Sequence, residues 1–178
     1  MKNLIKTTFL GLFITFSSAC EAEFTNVDST DAVATIQAVS DVDIEGQVKF
    51  TQPEEAVRIH FKIKNLPPNQ KFGTHIHENG DCTGKEAKNA GSHFNPHDHP
   101  HGSLKNSMSH AGDLGNIESD ENGVIDTVIE TNLLSLKEPS PTYIVDRSIV
   151  IHAGVDDLTT QPSGSSGTKI GCGVINIH

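Results

Sequence analysis

Seven of the ten histidines in this 178-residue chain fall between Phe72 and Asp113. A chain with that distribution must gather those imidazoles at a common point or leave them on its surface. The stretch opens with Gly73-Thr74-His75-Ile76-His77-Glu78 and passes through Gly91-Ser92-His93-Phe94-Asn95-Pro96 and His101-Gly102. It closes at His110-Ala111-Gly112-Asp113-Leu114-Gly115-Asn116. In a strand, His75 and His77 point to the same face, because side chains alternate with a period of two. Imidazole suits zinc, copper, iron and nickel, whereas calcium and magnesium prefer oxygen, so the pair points to a transition metal; copper(II) is the strongest binder of that series. His93, His101, His110 and Asp113 supply three nitrogens and one carboxylate. That is a complete tetrahedral set for zinc with no open position, as in a structural site.

The flanking sequence reads as strands. Val42, Ile44, Gly46, Val48 and Phe50 alternate with polar residues, and Val57, Ile59, Phe61 and Ile63 alternate with Arg58, His60 and Lys62. Period two over eight residues means half-buried strands, with His60 on a solvated face. Pro67-Pro68-Asn69 ends the second strand. Asn122-Gly123 reads as a hairpin turn between Asn116-Ile117-Glu118 and a strand from Val124 to Glu130. Two further apolar runs lie at 148–152 and 172–177, and no segment sustains a helical period. Short strands joined by turns predict an antiparallel sandwich or barrel. The length and the 35% hydrophobic content suit one domain with a real core. A formal charge of −10 argues against nucleic acid as a partner and against a polybasic membrane patch.

The front of the chain reads as a targeting segment. Lys2 and Lys6 precede an apolar run from Phe9 to Phe16, followed by Ser17-Ser18-Ala19. The run is too short to span a bilayer, so residues 1–19 are expected to be a removed signal peptide. Losing both lysines takes the charge from −10 to −12. Three cysteines leave one unpaired in an exported protein. Ser17-Ser18-Ala19-Cys20 resembles a bacterial lipobox, with Ser17 where leucine is commoner, which makes Cys20 a lipidated first residue; ordinary secretory cleavage nearby is the alternative. Residues 20–32 then form an acidic tether and 33–178 the domain. Both routes lead to the bacterial cell envelope: to the periplasmic face of a membrane as a lipoprotein, held only by its lipid, or to the soluble periplasm. A disulfide persists in either place.

The motifs quoted above, together with Val150-Ile151-His152-Ala153, Asp156-Asp157-Leu158 and Gly171-Cys172-Gly173-Val174-Ile175, resemble the copper/zinc superoxide dismutases, in unbroken order from residue 33 to 178. The resemblance implies an all-β fold, an eight-stranded antiparallel Greek-key β-barrel with two long functional loops at about 79–116 and 153–171. It implies copper held by His75, His77, His93 and His152, and zinc held by His93, His101, His110 and Asp113, with His93 bridging the two. The implied activity is dismutation of superoxide to dioxygen and hydrogen peroxide by alternate reduction and reoxidation of copper. Superoxide anion is the implied partner. The resemblance also pairs Cys82 with Cys172 and sets Asp156 to orient His75 and His101.

Some features depart from the family pattern. Lys169 stands where the family usually has an arginine that guides the anion, keeping the charge but losing the planar fork. The second loop holds no charge between Asp157 and Lys169, so Lys85 and Lys88 in the first loop are candidates for steering, as in the bacterial branch. His97 and His99 are extra: they could recruit metal loosely or simply be exposed, and exposure is expected, as neither matches a ligand position. Family spacing selects His101 for zinc, with His99 the alternative two residues earlier. A different class of function, metal buffering outside the cell with little turnover, would make the Lys169 change a symptom. Members of the family occur as monomers and as homodimers, so a homodimer is admitted but not required.

Overall fold

A computed structural model describes residues 30–178. The expected signal peptide and Cys20 lie outside these residues. Nine strands follow in chain order: β1 (Thr30–Ala38), β2 (Glu45–Gln52), β3 (Val57–Lys64), β4 (Lys71–His77), β5 (Asp113–Glu118), β6 (Ile125–Thr131), β7 (Ser148–His152), β8 (Lys169–Val174) and the two-residue β9 (Asn176–Ile177). The only helical piece among the described residues is a short 3-10 segment, Lys85–Ala90. All pairings are antiparallel, in the order β5-β4-β7-β8-β1-β2-β3-β6, with β9 beside β1. The end strands β5 and β6 approach without pairing, so the sheet curls into a nearly closed eight-strand barrel.

The period-two pattern decides what faces inward. In β3, Val57, Ile59, Phe61 and Ile63 are buried while Arg58, Lys62 and Lys64 are exposed. Phe50, Phe61, Phe72, Ile36, Ile76, Ile149 and Ile151 fill the barrel. Strands β4 and β7 are buried on both faces. Their inward residues join this core, and opposite residues of an antiparallel pair share a face. His75 opposite Val150 and His77 opposite Ser148 therefore look outward, away from the core. Both long loops reach them there, the first through Gly91 at His77 and the second through Asp156 at His75.

The structure shifts three boundaries. Alternation around Val42 suggests a strand beginning there, but Val42 is exposed in a bend and β2 begins at Glu45. The expected tether reaches residue 32, but β1 already begins at Thr30, because Ala32, Ala34 and Ile36 pack inward. The final apolar run is two strands, β8 beginning at Lys169 and β9 beginning after Ile175.

Cys82 and Cys172 form a disulfide across 90 residues. It ties the first loop to β8 beside a small cluster of Ala87, Ala90 and Val150. Replacing both cysteines by serine is expected to cost about 2–5 kcal/mol of stability. The check is a lower urea midpoint relative to the oxidised protein; an unchanged midpoint would contradict the bracing role.

Candidate metal centre

Three main-chain hydrogen bonds bring the site together. Ile76 N–H donates to Gly112 O (2.9 Å), Gly112 N–H to Phe94 O (2.9 Å), and Phe94 N–H to Ile76 O (2.8 Å). The strand carrying His75 and His77, the loop carrying His93 and the turn after His110 are thereby laced into one piece. A Cβ on Gly112 would lie 2.3 Å from Ile76 O, so only glycine fits. His77 and His93 form a bridge within this lacing. A bulge between Ile151 and His152 ends β7, leaving His152 opposite Lys169.

Two buried groups result, and they share one residue. In each, one ligand-type atom per side chain lies within 4.8 Å of the others: His75, His77, His93 and His152 in the first, His93, His101, His110 and Asp113 in the second. Hydrogen bonds fix which nitrogen each ring turns inward. His77 Nδ1–H donates to Gly91 O (2.9 Å) and His152 Nδ1–H donates to Gly167 O (2.9 Å), which leaves the Nε2 lone pairs facing in. His75 Nε2–H donates to Asp156 Oδ2 (2.8 Å), which leaves Nδ1 facing in. In the second group, Asp113 Oδ1 lies 2.8 Å from His93 Nδ1, 3.0 Å from His101 Nδ1 and 3.2 Å from His110 Nδ1. The His101 contact is close but out of line for a hydrogen bond. Asp113 Oδ2 accepts from Gly102 N–H (2.9 Å).

These residues fit copper and zinc. Among the described residues, the buried side-chain atoms without a hydrogen-bond partner are Ser40 Oγ and five imidazole nitrogens: His75 Nδ1, His77 Nε2, His93 Nε2, His101 Nδ1 and His152 Nε2. Leaving a buried polar atom unpaired costs about 1–3 kcal/mol. Five such atoms converging on two points have a cation as their natural partner. One group offers four nitrogens and the other three nitrogens and a carboxylate, donor sets that imidazole-favouring metals take.

Burial tunes three of these rings, those of His75, His77 and His152. It pushes His77 down to about 2, with repulsion from His93 adding to the effect. It pushes His152 down to about 3 and His75 down to about 4, the latter partly offset by the bond to Asp156. Burial works against the charge of Asp156, but hydrogen bonds from His75, Leu158 N–H and His101 outweigh it and hold the carboxylate at about 2. Asp113 is likewise held low against its burial, chiefly by His93 and Gly102 N–H.

Asp156 joins the two groups from behind, accepting from His75 through Oδ2 and from His101 Nε2 through Oδ1 (2.9 Å). Several residues that hold the site escape sequence reasoning. Asn116 brackets the Asp156 main chain, accepting from its N–H (2.8 Å) and donating to its carbonyl (2.9 Å). Gln161 does the same for His101 (2.8 and 2.9 Å). Gly164 presses so closely on Asp156 and His101 that a Cβ would overlap both. Arg147 lies 3.6 Å over the Phe94 ring and donates to Glu78 O (2.7 Å), bracing the residues that follow His93 and His77. Of these, Asn116 alone sits in a quoted motif.

The first group opens to a cleft that includes His77, His93, His152 and Lys169 in its lining. Lys169 Nζ donates to Ala87 O (3.2 Å) and Gly91 O (3.3 Å), and burial lowers its pKa. Lys85 and Lys88 are exposed on the 3-10 segment that supplies Ala87. His97 and His99 join neither group, and it is His101, not His99, that stands at Asp113. His60 of β3 is hydrogen-bonded to Asp126 of β6 (2.6 Å) and belongs to neither group.

The sequence profile described as copper/zinc superoxide dismutase (SODC) matches residues 44–175. The chain belongs to this family. Superoxide dismutase [Cu-Zn] of Saccharomyces cerevisiae is 40% identical over 154 residues, covering 80% of this chain and 98% of the yeast protein. Superoxide dismutase [Cu-Zn] 2 of Aquifex aeolicus is 35% identical, covering 75% and 80%, and superoxide dismutase [Cu-Zn] of Paramecium bursaria Chlorella virus 1 is 33% identical, covering 97% and 95%. Among solved structures, that of the clock protein EA4 superposes with a TM-score of 0.75 at 33% identity, covering 84% of this chain and 96% of that one. The dismutase therefore converts superoxide to dioxygen and hydrogen peroxide with copper and zinc as cofactors. Metal buffering without turnover is not favoured.

A pH dependence follows for the metal-free dismutase. In the unfolded chain His75, His152 and His77 titrate near 6.5, above their folded values of about 4, 3 and 2. The unfolded state therefore binds more protons below that point. The stability is fully present above about pH 6.5 and is lost as the pH falls through the folded values of about 4, 3 and 2, at first more steeply than the roughly 1.4 kcal/mol per pH unit of a single proton. Urea midpoints measured across this range check it; a flat profile would contradict the buried, neutral state.

Proposed function

We propose that His75, His77, His93 and His152 hold the copper, and that His93, His101, His110 and Asp113 hold the zinc. The observation that carries this is the position of His93. Its Nδ1 faces Asp113 at 2.8 Å, while its unpartnered Nε2 faces the other three histidines. An imidazole placed to serve two cations would carry neither ring proton, so His93 Nε2 would act there as a strong base. Copper, when bound, supplies the one-electron exchange with two successive superoxide anions. His93 Nε2 takes up a proton between the two half-reactions and delivers it to the second superoxide, with another from water, giving hydrogen peroxide. Its Nδ1 side and Asp113 keep the ring in place meanwhile. Asp156 fixes the orientation of His75 and His101, and such partners tune metal sites. Anomalous scattering at the copper and zinc edges tests the assignment; the two ions exchanged, or both in one group, would overturn it.

Lys169 is the anion-guiding residue in this reading. Two of its three donors are spent on Ala87 and Gly91 carbonyls. Arginine has five donors and could keep both contacts while presenting a fork to the anion. Lys169→Arg is therefore expected to raise activity per copper about two- to fivefold, the worth of one stronger charge-assisted bond. Equal or lower activity would sink this role. Lys85 and Lys88, exposed beside the Ala87 carbonyl, add positive potential for a substrate approaching an acidic protein. Asp156→Asn should weaken metal retention about 10- to 100-fold against a chelator.

The reading extends to the cell. Residues 1–19 are an export signal and Cys20 carries lipid, which places the dismutase at the periplasmic side of a bacterial membrane on an acidic tether. The lipobox-like Ser17-Ser18-Ala19-Cys20 and the Cys82–Cys172 disulfide, which suits an oxidising compartment, support this. Mass spectrometry of the mature N-terminus tests it: a lipidated Cys20 is expected, and an intact residue 1 would contradict export.

A further inference from the structure

We infer that His97 and His99 form a third metal site, on the surface, for an exchangeable divalent transition-metal ion. The two rings lie 5.6 Å apart between centroids. The same separation holds for His93 with His110 and for His101 with His110, pairs already within one ligand group. The pair is arranged by its own loop. Asn95 brackets His99, accepting from its N–H (3.0 Å) and donating to its carbonyl (2.8 Å). Asp98 between the histidines adopts a left-handed conformation (φ 55°), which turns the chain so that the rings stand side by side.

The orientation of His99 matches that of a ligand. Its Nδ1–H donates to Ser109 O (3.2 Å), and a carbonyl can only accept, so the lone pair sits on Nε2. His77 and His152 are held in the same way, by Gly91 O and Gly167 O, and metal-binding histidines commonly give their second N–H to such a carbonyl. His97 is exposed, and no hydrogen bond among the described residues engages its ring. Ser107, Ser109, Asn132 and Thr142 line the adjoining groove, oxygen-bearing side chains that retain the waters needed to complete a coordination shell. Two imidazoles and water select copper(II), nickel(II) or zinc over calcium and magnesium. The site is separate from both buried groups, so it does not depend on which ion fills which of them.

The test uses the mature dismutase with copper and zinc already bound. Nickel(II) is added by equilibrium dialysis, and nickel, copper and zinc are counted on the same sample. One nickel per chain is expected with copper and zinc retained, and its affinity is expected to fall about tenfold or more in His97→Ala and in His99→Ala. His60→Ala, on β3, is expected to leave it unchanged. Unaltered copper and zinc contents and unaltered thermal unfolding would show that both variants fold. No nickel bound beyond the two filled sites, or binding that survives either substitution, overturns the proposal. A starting sample that cannot hold one copper and one zinc would instead count against the two buried assignments.

Discussion

The metal centre depends on the lacing of Ile76, Phe94 and Gly112 by three backbone hydrogen bonds. Main-chain bonds set the distances between segments, and side chains then act on that scale. Because the lacing places His77 beside His93 and brings the turn after His110 against β4, both groups can share a ring. Gly112 permits it by having no Cβ to clash with Ile76 O. A barrel alone would not suffice, since His75 and His77 look away from its core and need the long loops to cover them.

Covering them creates an energetic problem that the cations solve. Among the described residues five imidazole nitrogens are buried without a partner, and burial keeps the rings of His75, His77 and His152 neutral. Neutral imidazoles with inward lone pairs are good ligands and poor company for one another. Binding of cations is therefore coupled to the stability of the loop that carries His93, His101 and His110. The disulfide and the Arg147 contact to Phe94 hold that loop at Cys82 and at Phe94. Asp156 holds the inner side by tying His75 to His101.

Much of this was legible in the sequence because local spacing carries it. Period-two alternation exposes β3, and the i, i+2 histidines expose the face of β4 that carries the buried imidazoles. What escaped is non-local or backbone-borne. Asn116 and Asp156 are 40 residues apart, and Gln161 and His101 are 60 apart. Each bracket joins a side chain to a main chain that no spacing rule connects. The start of β1 was hidden because Thr30 and Asp31 are polar and continue the acidic composition before them, although they pair with Thr51 and Gln52. Gly164 sits in a Ser- and Gly-rich stretch whose composition specifies only a loop, and its contact with Asp156 arises from the fold.

In the proposed reading, copper held by the four-histidine group turns over superoxide. The direct measurement is the decay of a superoxide pulse in the presence of the mature dismutase, with copper and zinc counted on the same sample. The account predicts decay proportional to bound copper and slowed by added salt, as a positively guided anion requires. Decay at the spontaneous rate with both groups filled would contradict it.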